Sequence, residues 1–98
     1  MKTKVEISAQ VARFASRQAP EPRRLLRCAL RELEHERGDI KPLEGPLRNY
    51  HRLRAGGFRV IFAYAKTRSR VIQCVFAERR DIVYEMFTEM LRKHLLGG

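Results

Sequence analysis

The sequence predicts an α+β fold: an N-terminal strand and a helical hairpin packed on a small antiparallel sheet, with a short C-terminal helix. Three observations predict it. Ninety-eight residues, 44% apolar and 33% charged, suffice for one compact domain over residues 1–98 with a single small core. Apolar residues recur at helical spacing in three segments and gather in alternating, β-branched or aromatic runs elsewhere, in the order β-α-α-β-β-β-α. The last three strand segments are joined by tight turns, which suit antiparallel neighbours and exclude an all-parallel sheet.

Each element has a local cause. Val5 and Ile7 alternate with polar residues as a short opening strand. Ser8 is the N-cap of a helix to about Gln18, with Val11, Ala12, Phe14 and Ala15 on its apolar side. The prolines of Ala19-Pro20-Glu21-Pro22 stop it. A second helix runs from about Pro22 to Arg37, burying Leu26, Ala29, Leu30 and Leu33 beneath Arg23, Arg24, Arg27 and Arg31, and Gly38 is its C-cap. Asp39–Asn49, with two prolines and a glycine, reads as a shaped loop. Tyr50–Arg54 and Phe58–Ala65 flank Ala55-Gly56-Gly57 as a hairpin. Lys66–Ser69 is a polar turn and Arg70–Ala77 a further strand. The last helix, Asp81 to about Leu96, lines up Val83, Met86, Phe87, Met90, Leu91 and Leu95 on one side, a stripe that serves core packing or a partner.

Composition excludes several classes. The longest apolar stretches, such as Val60–Ala65, fall far short of the ~20 residues a membrane span needs. The segment MKTKVEISAQVARF lacks the apolar run of a secretory leader. Cys28 and Cys74 form no paired motif, and His35, His51 and His94 are scattered, so neither a disulfide scaffold nor a metal site is expected.

Charge is the informative quantity. The chain carries 21 Lys+Arg against 11 Asp+Glu, a net +10, and 16 of the cations are arginine, the side chain that grips phosphate bidentately. Between Arg48 and Arg80 lie nine cations and one acid, Glu78. Alternation along the hairpin projects Tyr50, Arg52 and Arg54 together, with His51 and Leu53 on the other side; Arg59 joins from the neighbouring strand. Arg79 and Arg80 sit at the end of the next strand. Exposed faces normally interleave acids, so this one is expected to bind nucleic acid or phosphate.

The run Leu43 to Phe62, LEGPLRNYHRLRAGGFRVIF, followed by FAERRDIVYEMF from Phe76 to Phe87, resembles the RelE/ParE toxin superfamily. The likeness rests on Lys41-Pro42-Leu43-Glu44-Gly45, Tyr50, Arg54, Gly57-Phe58-Arg59-Val60-Ile61-Phe62, Arg79 and Tyr84. It implies a cytoplasmic toxin of a type II toxin–antitoxin module, with an acidic antitoxin as partner and no cofactor. The RelE-like branch cuts mRNA in the ribosomal A site, without a metal, by attack of the ribose 2′-hydroxyl on the adjacent phosphate. The alternative is the ParE-like branch, non-enzymatic inhibitors of DNA gyrase. On the nuclease reading, Arg52, Arg59 and Arg79 converge to stabilise the phosphorane-like transition state, and Tyr84 stacks on a base or orients the nucleophile. Arg48, Tyr50, Arg54 and Arg80 contact RNA. Relatives carry a lysine pair where this chain has Tyr50 and Arg52, and arginine stays protonated, so the general base is Glu78 or His51.

Overall fold

The computed structural model describes residues 3–65 and 70–96; the Lys66–Ser69 turn and the side chain of Leu95 lie outside the described residues. In chain order the elements are β1 (Lys4–Ile7), α1 (Ala9–Ser16), α2 (Pro20–Glu32), β2 (Asp39–Pro42), β3 (His51–Ala55), β4 (Phe58–Tyr64), β5 (Val71–Arg79) and α3 (Val83–Leu96). They form one five-stranded sheet in the order β1-β5-β4-β3-β2. The pairs β2–β3, β3–β4 and β4–β5 are antiparallel. β1 instead joins β5 in parallel, from Lys4↔Val71 to Ile7↔Cys74, so the sheet is mixed rather than wholly antiparallel. A parallel pair needs a long crossover, and the helical hairpin supplies one.

Helices cover both faces. Val11 and Ala15 of α1 and Leu26 of α2 pack with Leu53, Val60, Phe62, Ile72, Cys74 and Ala77 to form the larger core. On the other face Val83 and Phe87 of α3 pack on Ile61 and Phe76, with Leu43, Leu47, Tyr50 and Leu91 around them. The final helix, at 14 residues, is the longest of the three rather than short. No helix among the described residues is long and apolar enough to cross a membrane.

The two faces exchange phase within β5. Ile61 opposes Phe76 but Phe62 opposes Cys74, so Val75 is an extra residue, a β-bulge. Cys74 and Ala77 therefore face the helical hairpin, while Val75 and Phe76, consecutive in sequence, both face α3. The backbone beside the bulge is satisfied by α1 and its cap. Ser8 N–H donates to Cys74 O at 2.9 Å, and Ser8 Oγ donates to Val75 O at 3.1 Å while accepting from Val11 N–H at 3.2 Å. The Gln10 amide donates to Ala77 O at 2.7 Å and accepts from Ala77 N–H at 2.8 Å, standing in for the strand that β1 no longer provides.

Several boundaries move. α1 ends at Ser16, and α2 starts at Pro20 rather than Pro22 because a proline in the first turn gives up only a donor that has no intrahelical acceptor. α2 stops at Glu32 and continues as a 3₁₀ turn, Leu33–His35, short of Arg37. Glu36, not Gly38, takes the left-handed capping conformation (φ +52°), and its N–H donates to Leu33 O at 2.9 Å. The Glu36 carboxylate is held by Thr3, Tyr64 and Arg70, which offsets the strain of that conformation. Asp39–Pro42, read as loop, is an edge strand whose Ile40 packs on the larger core; its proline falls at the strand end, where edge strands tolerate it. β5 runs two residues beyond Ala77. Between β3 and β4, Gly56 takes φ +59° in the two-residue loop Gly56-Gly57.

Two outcomes follow from this packing. Gln10→Ala strips the bulge edge of a donor and an acceptor at once, and chemical denaturation is expected to show about 1–3 kcal/mol less stability. The two cysteines differ in access: Cys28 is exposed, whereas burial pushes the Cys74 thiol up to about 12. Ellman's reagent at pH 8 is expected to titrate one thiol in the folded chain and the second only after unfolding.

Candidate functional site

Side chains of directly opposed antiparallel residues share a face, so the register specifies what lies beside what. Two rows cross the α3 face at its open end. One reads Asp39–Arg54–Arg59–Glu78 and the next Lys41–Arg52–Ile61–Phe76. Arg80, two residues past Glu78, continues on the same face, and its N–H donates to Gly57 O at 2.9 Å, tying the end of β5 to the hairpin loop. α3 begins three residues later and brings Tyr84 in its first turn.

Arg59 is the centre of this group. Its Nη1 donates to Gly56 O at 2.9 Å and Phe58 O at 2.8 Å, which pins the guanidinium across the loop. Burial lowers its pKa, and repulsion from Arg54, Arg52 and Arg80 lowers it further, while Tyr84 acts in the opposite sense. Arg54 stands directly opposite Arg59 in the sheet, and Arg52, Arg80 and Tyr84 lie near enough to act on its charge. Arginine keeps its proton under any working condition, so the lowered value records first the partial burial of the guanidinium and second the crowding of like charges, which an anion would relieve.

Asp39 moderates the crowding. Its Oδ1 accepts from Arg52 Nη1 at 3.2 Å and its Oδ2 lies 3.8 Å from Arg54 Nη1. Arg52 also donates to Asp39 O at 3.1 Å, and its side chain is only 14% exposed, against 53% for Arg54. Arg52 is thus a held cation and Arg54 a reachable one. Glu78 stands opposite Arg59, half-buried, with Oε1 accepting from Arg79 N–H at 3.1 Å.

The expected convergence of Arg52, Arg59 and Arg79 is corrected at one position. Arg79 opposes Phe58, whose ring packs against Phe14 of α1 at 5.1 Å, so its side chain leaves the sheet on the helical-hairpin face. There it lies 3.8 Å from Asp81. The bulge shifts β5 by one residue and Arg80 takes the place in the cluster.

Other candidates separate cleanly. Tyr50 meets Phe87 edge-on at 4.9 Å as part of the α3 packing, so its ring is engaged within the fold rather than presented to a base. Arg48 caps the 3₁₀ turn Gly45–Leu47 ahead of β3, at the end of that strand away from Arg54, and its side chain donates to Gly45 O at 3.4 Å. His51 faces away, stacked on Phe62 at 5.4 Å, so of the two proposed bases only Glu78 shares the face. Arg70 pairs with Glu36 at 2.8 Å, elsewhere in the molecule. Lys41 and Asp39, expected in a loop, are site-face residues; the alternation of Asp39, Ile40 and Lys41 signals both, and Lys41 is also one of the residues that carry the family resemblance. Among the described residues no cluster of His, Cys, Asp or Glu could hold a metal ion.

No protein-family model and no curated protein sequence gives a significant match to this chain. Solved structures do. The archaeal RelE–RelB complex from Pyrococcus horikoshii OT3 contains a chain 25% identical, with a TM-score of 0.64, aligned over 82% of this chain and 97% of that one. This chain has the fold of the RelE-like toxin superfamily. The toxin–antitoxin complex RelBE2 from Mycobacterium tuberculosis (19% identity, TM-score 0.59) aligns over 82% of this chain and 100% of its own. The YoeB/ParE toxin from Agrobacterium tumefaciens (13%, TM-score 0.64) aligns over 80% and 99%.

If this face is the polyanion surface, charge added to it should matter more than charge added elsewhere. Asp39→Asn is expected to elute from heparin at higher salt than wild type, with about 1–2 kcal/mol less stability because Arg52 loses its ionic partner. Glu89→Gln makes the same charge change on the outer side of α3, beside Arg92, and is expected to elute close to wild type. Equal elution of the two variants would refute the assignment of the face.

Proposed function

We propose that the protein is the toxin of a toxin–antitoxin module and cuts mRNA in the ribosomal A site, with its scissile linkage held at Arg59. The observation that carries this reading is the gathering of Arg52, Arg54, Arg59 and Arg80 around one point next to Tyr84 and the amino end of α3. Phosphoryl transfer through a pentacoordinate transition state needs fixed positive charge at the non-bridging oxygens. Arg59, braced on two carbonyls, supplies it without reorganisation, and Arg54 and Arg80 flank it. The amino end of α3 adds its partial positive charge. Arg52, held by Asp39, strengthens the local field from below.

The reaction is an internal displacement. The 2′-oxygen attacks phosphorus, its proton passes to the Glu78 carboxylate, and the P–O5′ bond breaks. The 5′-oxygen takes up a proton from water as it leaves, Glu78 returns its own to solvent, and the products are a 2′,3′-cyclic phosphate and a 5′-hydroxyl. Tyr84 offers the flat surface on which an unstacked base rests. The partner is an acidic antitoxin, in keeping with the antitoxin-bound state of the similar chains from P. horikoshii and M. tuberculosis. Met86 and Met90, exposed side by side on α3, and the net charge of +10 suit such a partner.

Primer extension on transcripts after induction tests the reading. Arg59→Ala is expected to lower cleavage by about 10²–10³-fold with the fold intact. Arg80→Ala should be impaired well beyond Arg79→Ala, and Glu78→Gln should lose about 10²-fold or more. Undiminished cleavage in Arg59→Ala would overturn the site. Intact transcripts together with a DNA-damage response would place the protein in the gyrase-inhibiting branch instead.

A further inference from the structure

The two glycines of the loop between β3 and β4 have different causes. Gly56 takes φ +59°, and a Cβ there would come within 2.5 Å of Leu25 Cδ2 on α2. Backbone angle and packing each demand glycine at that position. Gly57 answers to neither demand. Its φ is not positive, and among the described residues a Cβ built on it would meet nothing within 4 Å beyond its chain neighbours. A two-residue loop with positive φ at its first central residue alone follows the type II′ pattern, in which the second position takes ordinary residues. The fold therefore has no use for a bare Cα at Gly57.

Flexibility is not the reason either. Three consecutive carbonyls of this loop are taken by residues of the arginine cluster. Gly56 O and Phe58 O accept from Arg59 Nη1 at 2.9 and 2.8 Å, and Gly57 O accepts from the Arg80 N–H at 2.9 Å. The chain is thus tied down on both sides of Gly57, and a second glycine only adds conformational freedom to the unfolded state. Glycine at a held, exposed and unstrained position is one of the ways a backbone admits a ligand closely. The nearest candidates to bind that ligand are Arg59 and Arg80, the two residues this loop anchors.

We propose that the sugar–phosphate chain of the RNA held at Arg59 crosses the tip of the hairpin at Gly57, in contact with its Cα. The inference rests on the proposed function and deepens it. Gly57 is a substrate-contact position whose missing side chain leaves room for the strand next to the scissile linkage. Phosphates on either side of the crossing point fall to Arg59 and Arg80. A methyl group at Gly57 displaces the strand by about an ångström, and errors of that size at a reacting centre lower rates by up to about 10²-fold.

The test is a graded series at Gly57 in the full chain, scored by thermal melting and by cleavage of mRNA on programmed ribosomes at saturating protein. Gly57→Ala is expected to melt within about 2 °C of wild type or above it, since alanine restricts the unfolded chain and meets no obstacle in the folded one. Its cleavage rate should fall about tenfold, and that of Gly57→Leu about a hundredfold or more. Both should elute from heparin with wild type because no charge has changed, which separates a blocked path from a disturbed cluster. Gly56→Ala is the contrast and should melt several degrees lower, from strain and the clash with Leu25. A wild-type cleavage rate in Gly57→Leu overturns the proposal, and so does its elution at lower salt. A loss of melting temperature in Gly57→Ala equal to that in Gly56→Ala would make both glycines structural and overturns it too. Arg59→Ala reports on the site separately. If it cleaves as wild type, the proposed function fails and this inference with it; if it is inactive while Gly57→Leu cleaves, the inference alone fails.

Discussion

The extra residue at Val75 is the constraint on which the site depends. With strict alternation, Arg79 would share a face with Gln73 and Val75, the side that α3 covers, and Glu78 and Arg80 would point into the helical hairpin. The bulge reverses this for everything that follows it. Glu78 arrives opposite Arg59, Arg80 joins the cluster, and Arg79 is sent to the far side beside Phe58. Bulges are a recurrent means of re-aiming side chains near functional sites. This one is held by side chains from α1 and its cap, so the first helix helps to set which side chains reach a face it never touches.

Crowded guanidinium groups are costly, and the fold absorbs the cost by graded burial. Arg52 is covered and bonded to Asp39; Arg59 is braced on carbonyl oxygens; Arg54 is half in solvent. One acid on the edge strand thus partly neutralises the rear of the cluster and leaves its front unpaired. An anion approaching the front meets charge already oriented, the condition under which fixed cations stabilise a transition state most.

Much of this was legible from residue order. The N-cap at Ser8, the hairpin about Gly56-Gly57, the apolar stripe of the last helix and the shared face of Arg52, Arg54 and Arg59 all follow from local rules of spacing and turn chemistry. What was misread involved contacts between distant segments. The prolines of Asp39–Asn49 signalled a loop, yet Asp39–Pro42 pairs with β3 because an edge strand can end on a proline. Gly38 looked like the helix cap, but Glu36 takes the left-handed conformation because Thr3, Tyr64 and Arg70 hold its carboxylate. Tyr50 looked available to RNA until Phe87 of α3 was found against it.

The amino-acid sequence alone determined the α+β class, the excess of arginine and its concentration on the sheet half, since these rest on composition and on periodicities of two and 3.6 residues. Tertiary structure decided which arginines meet. Alternation is a relative quantity, and one inserted residue resets it without any mark in composition. The identity of the third guanidinium beside Arg59, the arrival of Asp39 and Lys41 on the same face, and the parallel docking of β1 were each settled by register between strands far apart in the chain.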